Sequence, residues 1–243
     1  MTRSHTYDFL VLAAGRGTRF AREHGGEKLL VRVGGLSLPQ RAVFFAAANG
    51  ARRCHVTVSS DGDQVLDDVL EAGEQAGLDV VTARQDPAVY GTGAALMPWR
   101  ERIHDPVVVL FGDNFYHGTV PHFPEPAAVH FTFKEIASPN TENLRFAAVQ
   151  GDTIIEKPHH ELSGRFFAGL VRFPSAFLSA ATFTPGRRGE YEITDLVNAH
   201  PVRRAVPLEA SGLLWDDVNE PSDVARVELL AAHCGPVLRG RAR

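Results

Sequence analysis

Lysine and cysteine are scarce in this chain. Of its 25 basic residues only Lys28, Lys134 and Lys157 are lysines, and Cys54 and Cys234 are the only cysteines. Two cysteines can neither staple a small secreted fold nor fill a four-ligand zinc site, so the thiols read as reduced and the compartment as cytoplasmic. No window reaches the roughly 18–20 unbroken apolar residues of a membrane span. The first apolar stretch runs straight into glycine, which is not the form of a signal peptide. Positive charge is not in surplus either: 25 Lys and Arg stand against 29 Asp and Glu, a net −4. That balance argues against broad binding to nucleic acid or to an anionic membrane. Repeats, low-complexity tracts and flexible linkers are missing, which leaves little to support a second independent domain.

What is present is ordinary globular composition, 243 residues with 44% hydrophobic and 22% charged. That is enough to bury one substantial core. Apolar runs at Tyr7–Ala13, Arg53–Ser59, Asp79–Ala83 and Pro106–Phe111 alternate with helical patterns at Leu38–Asn49, Asp63–Ala76 and Thr92–Arg102. Such alternation predicts βαβ units on a largely parallel sheet, with Asp61 or Asp63 capping the second helix. After Asp113 the apolar segments shorten, at Ala127–Glu135, Arg145–Gln150, Thr153–Lys157 and Phe166–Phe173, and read as a partly antiparallel addition. Helices at Pro174–Ala181, Ile193–His200 and Pro221–Cys234 and a strand at Leu213–Asp217 complete the chain, and the tail after Cys234 reads as frayed. The expected fold is α/β: one domain with a Rossmann-like, mixed but mostly parallel sheet, helices on both faces and a small antiparallel addition. Its first half covers about 1–113 and its second half about 114–235.

The most informative segment is Leu10 to Lys28, LVLAAGRGTRFAREHGGEK, where a strand feeds a turn carrying Gly15, Arg16, Gly17 and Arg19. Glycines let backbone N–H groups close around an anion, and arginine offers a forked donor to phosphate oxygens. Phe20 stands where a dinucleotide fingerprint needs its third glycine, and the P-loop spacing is absent, so a nicotinamide-binding dehydrogenase and a P-loop protein both weaken. The alternative is a tight strand-to-helix turn with solvated arginines. His159-His160-Glu161 lacks the H-E-x-x-H spacing of a zinc site, and Cys54 in an apolar strand reads as packing.

LAAGRGTRF followed by Lys28 resembles the signature of the sugar-phosphate nucleotidyltransferases, and five further segments fall in the same order: FGDNFYHG, IIEKP, FAGLVRF, GEYEITDLV and WDDVNEP. The resemblance spans Leu10 to Pro221; FGDNFYHG is similar to a segment of glucose-1-phosphate thymidylyltransferases, and the subclass is open. It implies transfer of a nucleoside monophosphate from a nucleoside triphosphate to a sugar-1-phosphate or similar acceptor, with release of pyrophosphate. It implies Mg²⁺ held by Asp113 and Asp217, each at the end of an apolar run where open α/β sheets place ligand groups. Arg19 and Lys28, with Arg16, would meet the triphosphate. The loop Leu12, Ala13, Ala14, Gly15, Arg16, Gly17 and Thr18 would cradle the nucleotide, with Gln85, Gly91 and Thr92 at its base. Lys157 would take the acceptor's phosphate, Glu156 and Glu192 its hydroxyls, and Asn114 and Gly169 belong to the same side. Arg19, Lys28, Asp113 and Lys157 form the catalytic set.

Two features depart from the thymidylyltransferase pattern. YGTGAAL is closer to other nucleotidyltransferases, and Asp217-Val218-Asn219-Glu220 replaces the family's D-T-G-T. Both leave open a cytidylyl- or guanylyltransferase acting on a cyclitol phosphate, phosphocholine or a phosphonate. A non-catalytic nucleotide-sugar-binding regulator on the same fold is the reading from another class. The partners implied are a nucleoside triphosphate and a phosphorylated small molecule, with no nucleic acid and no membrane. A homo-oligomer is left open.

Overall fold

The computed structural model describes residues 7–15, 17, 20, 27–137, 146–156, 164–186 and 189–235. Arg16, Thr18, Arg19, Lys157, the His159-His160-Glu161 run and the tail after residue 235 lie outside the described residues.

Strand β1 (Asp8–Ala13) is buried along its whole length. It lies between two parallel neighbours, β4 (Cys54–Val58) and β6 (Val107–Phe111), and β5 (Val80–Arg84) pairs in parallel outside β4. The chain runs outward through β1, β4 and β5 and then crosses back to place β6 on the other side of β1. The strand order therefore reverses between β1 and β6, and in open α/β sheets ligands bind at the carboxyl ends of such strands.

β1 sends alternate residues to opposite faces. Phe9, Val11 and Ala13 pack with Ala42, Val43 and Ala46 of helix α1 (Leu38–Ala48) and with Val65 and Val69 of α2 (Asp63–Ala76). Leu10 and Leu12 pack on the opposite face with Leu96, Trp99, Val107 and Val109. Helix α1 starts on a capping box in which Ser37 Oγ accepts from Gln40 N and Gln40 Oε1 accepts from Ser37 N. Helix α2 has Gly62, not an aspartate, at its N-cap; Asp63 is its first residue, placed favourably at the positive end of the helix dipole.

The antiparallel addition is present and larger than the sequence indicates. β11 (Arg165–Phe173) pairs antiparallel with β6, with β8 (Val129–Glu135) and with β9 (Ala148–Gln150), which pairs β10 (Thr153–Ile155). β12 (Arg203–Pro207) adds in parallel to β8. Away from this sheet, β7 (Asn114–His117) pairs antiparallel with β13 (Leu214–Asp217), and β2 (Arg32–Val33) pairs with β3 (Leu36–Ser37). Helices α3 (Phe177–Ala180), α4 (Ile193–Ala199) and α5 (Pro221–Cys234) complete the order.

One expected helix is corrected. Thr92–Arg102 forms a 3-10 segment at Ala94–Trp99 with Pro98 inside it. Proline cannot donate to the helical ladder and its ring crowds the carbonyl of the preceding turn, which explains the short, tight form.

Candidate active site

The carboxyl ends of β1 and β6 touch through Gly112. Its N–H donates to Leu12 O at 2.9 Å, and a Cβ there would lie 2.8 Å from that oxygen. Asp113 follows at once. Its backbone oxygen accepts from Val218 N at 3.2 Å, and the β7–β13 register sets Asp217 opposite Asn114. The fold thus brings Asp113 and Asp217, far apart in sequence, to neighbouring positions at one end of the sheet.

Lys28 ties them together. Its ammonium donates to Asp113 Oδ2 at 2.7 Å and to Asn219 Oδ1 at 3.1 Å, while Asn219 Nδ2 donates to Asp217 Oδ2. Both Lys28 and Asp217 are buried. Asp223 Oδ2 accepts from the backbone N–H groups of Asn219 and Glu220 at 2.8 and 2.9 Å, which fixes the turn into α5. Arg226 then forks onto Asp216 at 2.8 and 2.9 Å, reaches Asp223 at 2.7 Å and donates to Asp217 O at 3.2 Å. Its hydrogen bonds to Asp216 hold the guanidinium pKa above its ordinary value.

A second support lies beneath Asp113. Asn114 Nδ2 donates to Asp113 Oδ1 at 3.0 Å, and Asn114 Oδ1 accepts from Trp215 Nε1 at 2.9 Å and from Tyr116 OH at 3.3 Å. Gly169, at φ +62°, sits against this group: a Cβ there would collide with Asn114 Oδ1 and lie 3.2 Å from Trp215 Nε1 and Tyr116 OH. The sequence grouped Asn114 and Gly169 with the acceptor. In the structure Asn114 is buried, with Oδ1 accepting from Trp215 and Tyr116 and Nδ2 donating to Asp113, and Gly169 leaves the space that Asn114 fills.

A cleft of about 520 Å³ opens in front of these residues. Leu12, Ala14, Gly15, Gly17, Lys28, Gln85, Gly91, Thr92, Asp113 and Glu192 line it, as the motif reading expects of a single site. Ala13 does not: its methyl points into the core on the α1 face. Gln85 donates Nε2 to Val89 O at 2.9 Å, leaving its oxygen as the end that can accept. Tyr90, Glu190, Asn219 and Glu220 also line the cleft. Motif matching passed over Glu190 and Glu220, although Glu190 lies inside GEYEITDLV.

The far wall comes from the segment before α4. Gly93 N donates to Tyr191 O and Tyr191 N to Tyr90 O, both at 2.7 Å, and Gly91 at φ +114° leaves no space for a Cβ against the Tyr191 backbone. Thr92 Oγ1 donates to Glu192 Oε2 and accepts from Ile193 N, each at 2.9 Å, and Thr194 Oγ1 donates to Glu156 Oε1 at 3.0 Å. Burial pushes the Glu192 pKa up to about 7 against the hydrogen bond from Thr92, with the charges of Glu156 and Glu190 adding to the rise.

The donor set suits a hard divalent cation. Asp113 and Asp217 offer carboxylates at adjoining positions and already hold a cation, the Lys28 ammonium, through Asp113 and Asn219. Among the described residues there is no cluster of three or more His, Cys, Asp or Glu able to cage a metal. An ion here would complete its shell with water and phosphate, the habit of magnesium.

The fold is shared with solved structures. A Bacillus anthracis protein described as a glucose-1-phosphate thymidylyltransferase, solved with sucrose, superposes with a TM-score of 0.79 at 21% identity, over 95% of this chain and 97% of that one. The inositol-1-phosphate CTP transferase of T. maritima superposes at 0.71 with 12% identity, over 92% and 96%. The chain has the fold of these nucleotidyltransferases, and its residues 9–120 match a family model described as a MobA-like NTP transferase domain. The resemblance to sugar-phosphate nucleotidyltransferases read from the motifs is thereby supported on independent grounds. The glucose-1-phosphate thymidylyltransferase of Streptomyces griseus is 28% identical over 237 residues, 91% of this chain and 65% of its own length. A bifunctional sugar-1-phosphate nucleotidylyltransferase/acetyltransferase of Sulfurisphaera tokodaii is 24% identical over 226 residues, 89% of this chain and 53% of its own length. The chain therefore spans between about half and two thirds of these curated relatives.

Proposed function

We propose that the protein transfers a nucleoside monophosphate from a nucleoside triphosphate to a phosphorylated small molecule, a sugar-1-phosphate or a close analogue, and releases pyrophosphate. The observation that carries this reading is the convergence of Asp113, Asp217 and Lys28 on the glycine loop at the strand-order reversal. An acceptor phosphate oxygen forms a bond to the α-phosphorus as the bond from that phosphorus to the bridging oxygen breaks, and pyrophosphate leaves with the electron pair. A phosphate monoester, with a second pKa near 6, is already largely dianionic at neutral pH, so the chain has little proton chemistry to perform.

Its residues work by position and charge. The Gly15–Gly17 backbone and Lys28, with Arg16 and Arg19, take the triphosphate; Lys157 takes the acceptor phosphate; Glu156 and Glu192 accept hydrogen bonds from its hydroxyls. Gln85, whose Nε2 is engaged by Val89 O, reads a donor on the base with its side-chain oxygen. Mg²⁺ bound by Asp113 and Asp217 would neutralise charge on the phosphates as it develops. The nucleotide half (about 1–113) and the acceptor half (about 114–235) act as one unit. The proposed setting is the cytoplasm, where nucleoside triphosphates are available; separately, among the described residues no helix is long and apolar enough to cross a membrane.

A second reading, a cytidylyltransferase acting on a cyclitol phosphate or another non-sugar acceptor, is favoured by Asn219. It stands in the turn after Asp217, where the thymidylyltransferase pattern has glycine, and its amide fills space between the lysine and the carboxylate. The test is pyrophosphate release from dTTP, UTP, CTP, GTP and ATP against glucose-1-phosphate, other sugar phosphates, inositol phosphate, phosphocholine and simple phosphonates, with and without Mg²⁺. A Mg²⁺-dependent signal for one pairing is expected. A blank across every pairing, with nucleotide binding still detected, would overturn the enzyme in favour of a nucleotide-sugar-binding regulator.

A further inference from the structure

The Lys28 ammonium stands where positive charge is needed to hold Asp113 and Asp217 together. One of its bonds goes to Asp113 Oδ2 at 2.7 Å. Another goes to Asn219 Oδ1 at 3.1 Å, and the same amide gives its N–H to Asp217. The amide orientation follows from chemistry: the oxygen must face the ammonium and the nitrogen the carboxylate. The lysine is held at its other end as well, since a Cβ on Gly17 would lie 2.7 Å from Lys28 Cβ, so the stem is packed against the glycine loop. Asp113, by contrast, keeps about a third of its side chain open to the cleft.

We propose that in the nucleotide-free protein Lys28 is a resident counter-cation. It occupies the charge position between the two carboxylates, keeps divalent ions weakly bound there, and is drawn away by the incoming triphosphate. The proposal rests on the metal and triphosphate assignments made above and deepens them by giving the site a built-in dependence of metal affinity on nucleotide. A divalent ion approaching Asp113 alone meets an ammonium hydrogen-bonded to one of the oxygens it needs. A triphosphate offers that ammonium several anionic oxygens beside the same loop. Thermodynamic linkage makes the effect reciprocal: whatever moves Lys28 off Asp113 strengthens metal binding by the same factor that metal strengthens the move. Asn219 is the positioning residue here, because it sets the ammonium between the carboxylates and lets Asp217 sense the lysine without touching it.

Mn²⁺ binding to the full chain without nucleotide, followed by electron paramagnetic resonance, reads this directly. The unaltered protein should bind weakly, and Lys28→Met, which keeps the stem and deletes the charge, should bind at least about tenfold more tightly, because the repulsion between like charges at contact distance is then gone. Lys28→Met/Asp113→Asn should lose the gain. Equal affinity of Lys28→Met and the unaltered protein, with Asp113→Asn still weakening the ion, would overturn the counter-cation and leave the metal assignment standing. A gain that persists in the double variant would overturn both. The unaltered protein gives a second readout, because only Lys28, Lys134 and Lys157 can be acylated on side chains. Saturating Mn²⁺ should raise the acetylation rate of Lys28 several-fold relative to Lys134, measured by peptide mass spectrometry. An unchanged ratio would also overturn the proposal.

Discussion

Gly169→Ala puts one methyl group into the support of Asp113. Position 169 has φ +62°, and an L residue in the left-handed region costs about 1–2 kcal/mol. The new Cβ collides with Asn114 Oδ1, so Asn114 must turn away and Trp215 Nε1 loses its acceptor. A buried donor left without a partner costs about 1–3 kcal/mol. The two add to roughly 2–5 kcal/mol, a large part of the about 5–15 kcal/mol that holds a typical domain. For a chain of this size about 1 kcal/mol moves the melting temperature by about 2–4 °C, so a fall on the order of 10 °C is expected. The same movement frees Asp113 Oδ1 from Asn114 Nδ2, so pyrophosphate release should fall along with stability. Calorimetry and the release assay on one preparation measure both. Trp215→Phe, which removes the donor without adding the methyl, should cost less than Gly169→Ala. A Gly169→Ala protein melting within about 2 °C of the parent, a shift worth under about 1 kcal/mol, would show that Asn114 does not need the space and would refute the reasoning.

Other perturbations separate the remaining roles. Asp217→Asn keeps the volume and deletes a charge, so turnover should drop by orders of magnitude with the fold intact by circular dichroism; near-normal rates would remove Asp217 from the metal site. Arg226→Met removes the fork onto Asp216 and Asp223 and should lower stability by about 1–3 kcal/mol and reduce kcat more than it raises the acceptor KM. A stability loss with kcat intact would make Arg226 structural only. Glu192 has its pKa raised by burial from 4.5 to about 7. The native state therefore holds a proton that the unfolded chain gives up sooner, and stability present below about pH 4.5 is lost as pH rises through 7. Glu192→Gln should flatten the melting temperature between pH 5 and 8 and raise the acceptor KM; an unchanged pH profile would mean that Glu192 titrates normally.

Much of the lining of this cleft was legible in residue order. Gly15, Gly17, Lys28, Gln85, Thr92, Asp113 and Glu192 were each marked by a motif and line one cleft, while Asp217, also marked, is buried beside it and reaches Lys28 through Asn219. Legibility failed where a residue's role depends on what faces it. Asn114 and Gly169 lie inside recognisable motifs, yet no motif shows that Asn114 meets Trp215 and Tyr116 in the space Gly169 leaves, and the Trp215 bond spans 101 positions. Strands β7 and β12 were missed for a related reason: each is short and finds its partner only after a long excursion of chain, so neither carries a pattern long enough to read.

The sequence by itself determined the parallel half of the fold, because alternating apolar runs, helical periodicity and glycine turns are local signals that burial converts directly into strands and helices. It also marked Lys28 and Asp113, which meet at 2.7 Å beside the loop, since phosphate chemistry restricts the residue types that serve it. Only the tertiary structure decided that Thr92 holds Glu192 across 100 positions, that Arg226 secures the turn carrying Asp217 and Asn219, and that Lys28 rests on Asp113. Those are pairings of side chains from distant segments, and their partners are set by sheet register and packing, which no local stretch of residues encodes.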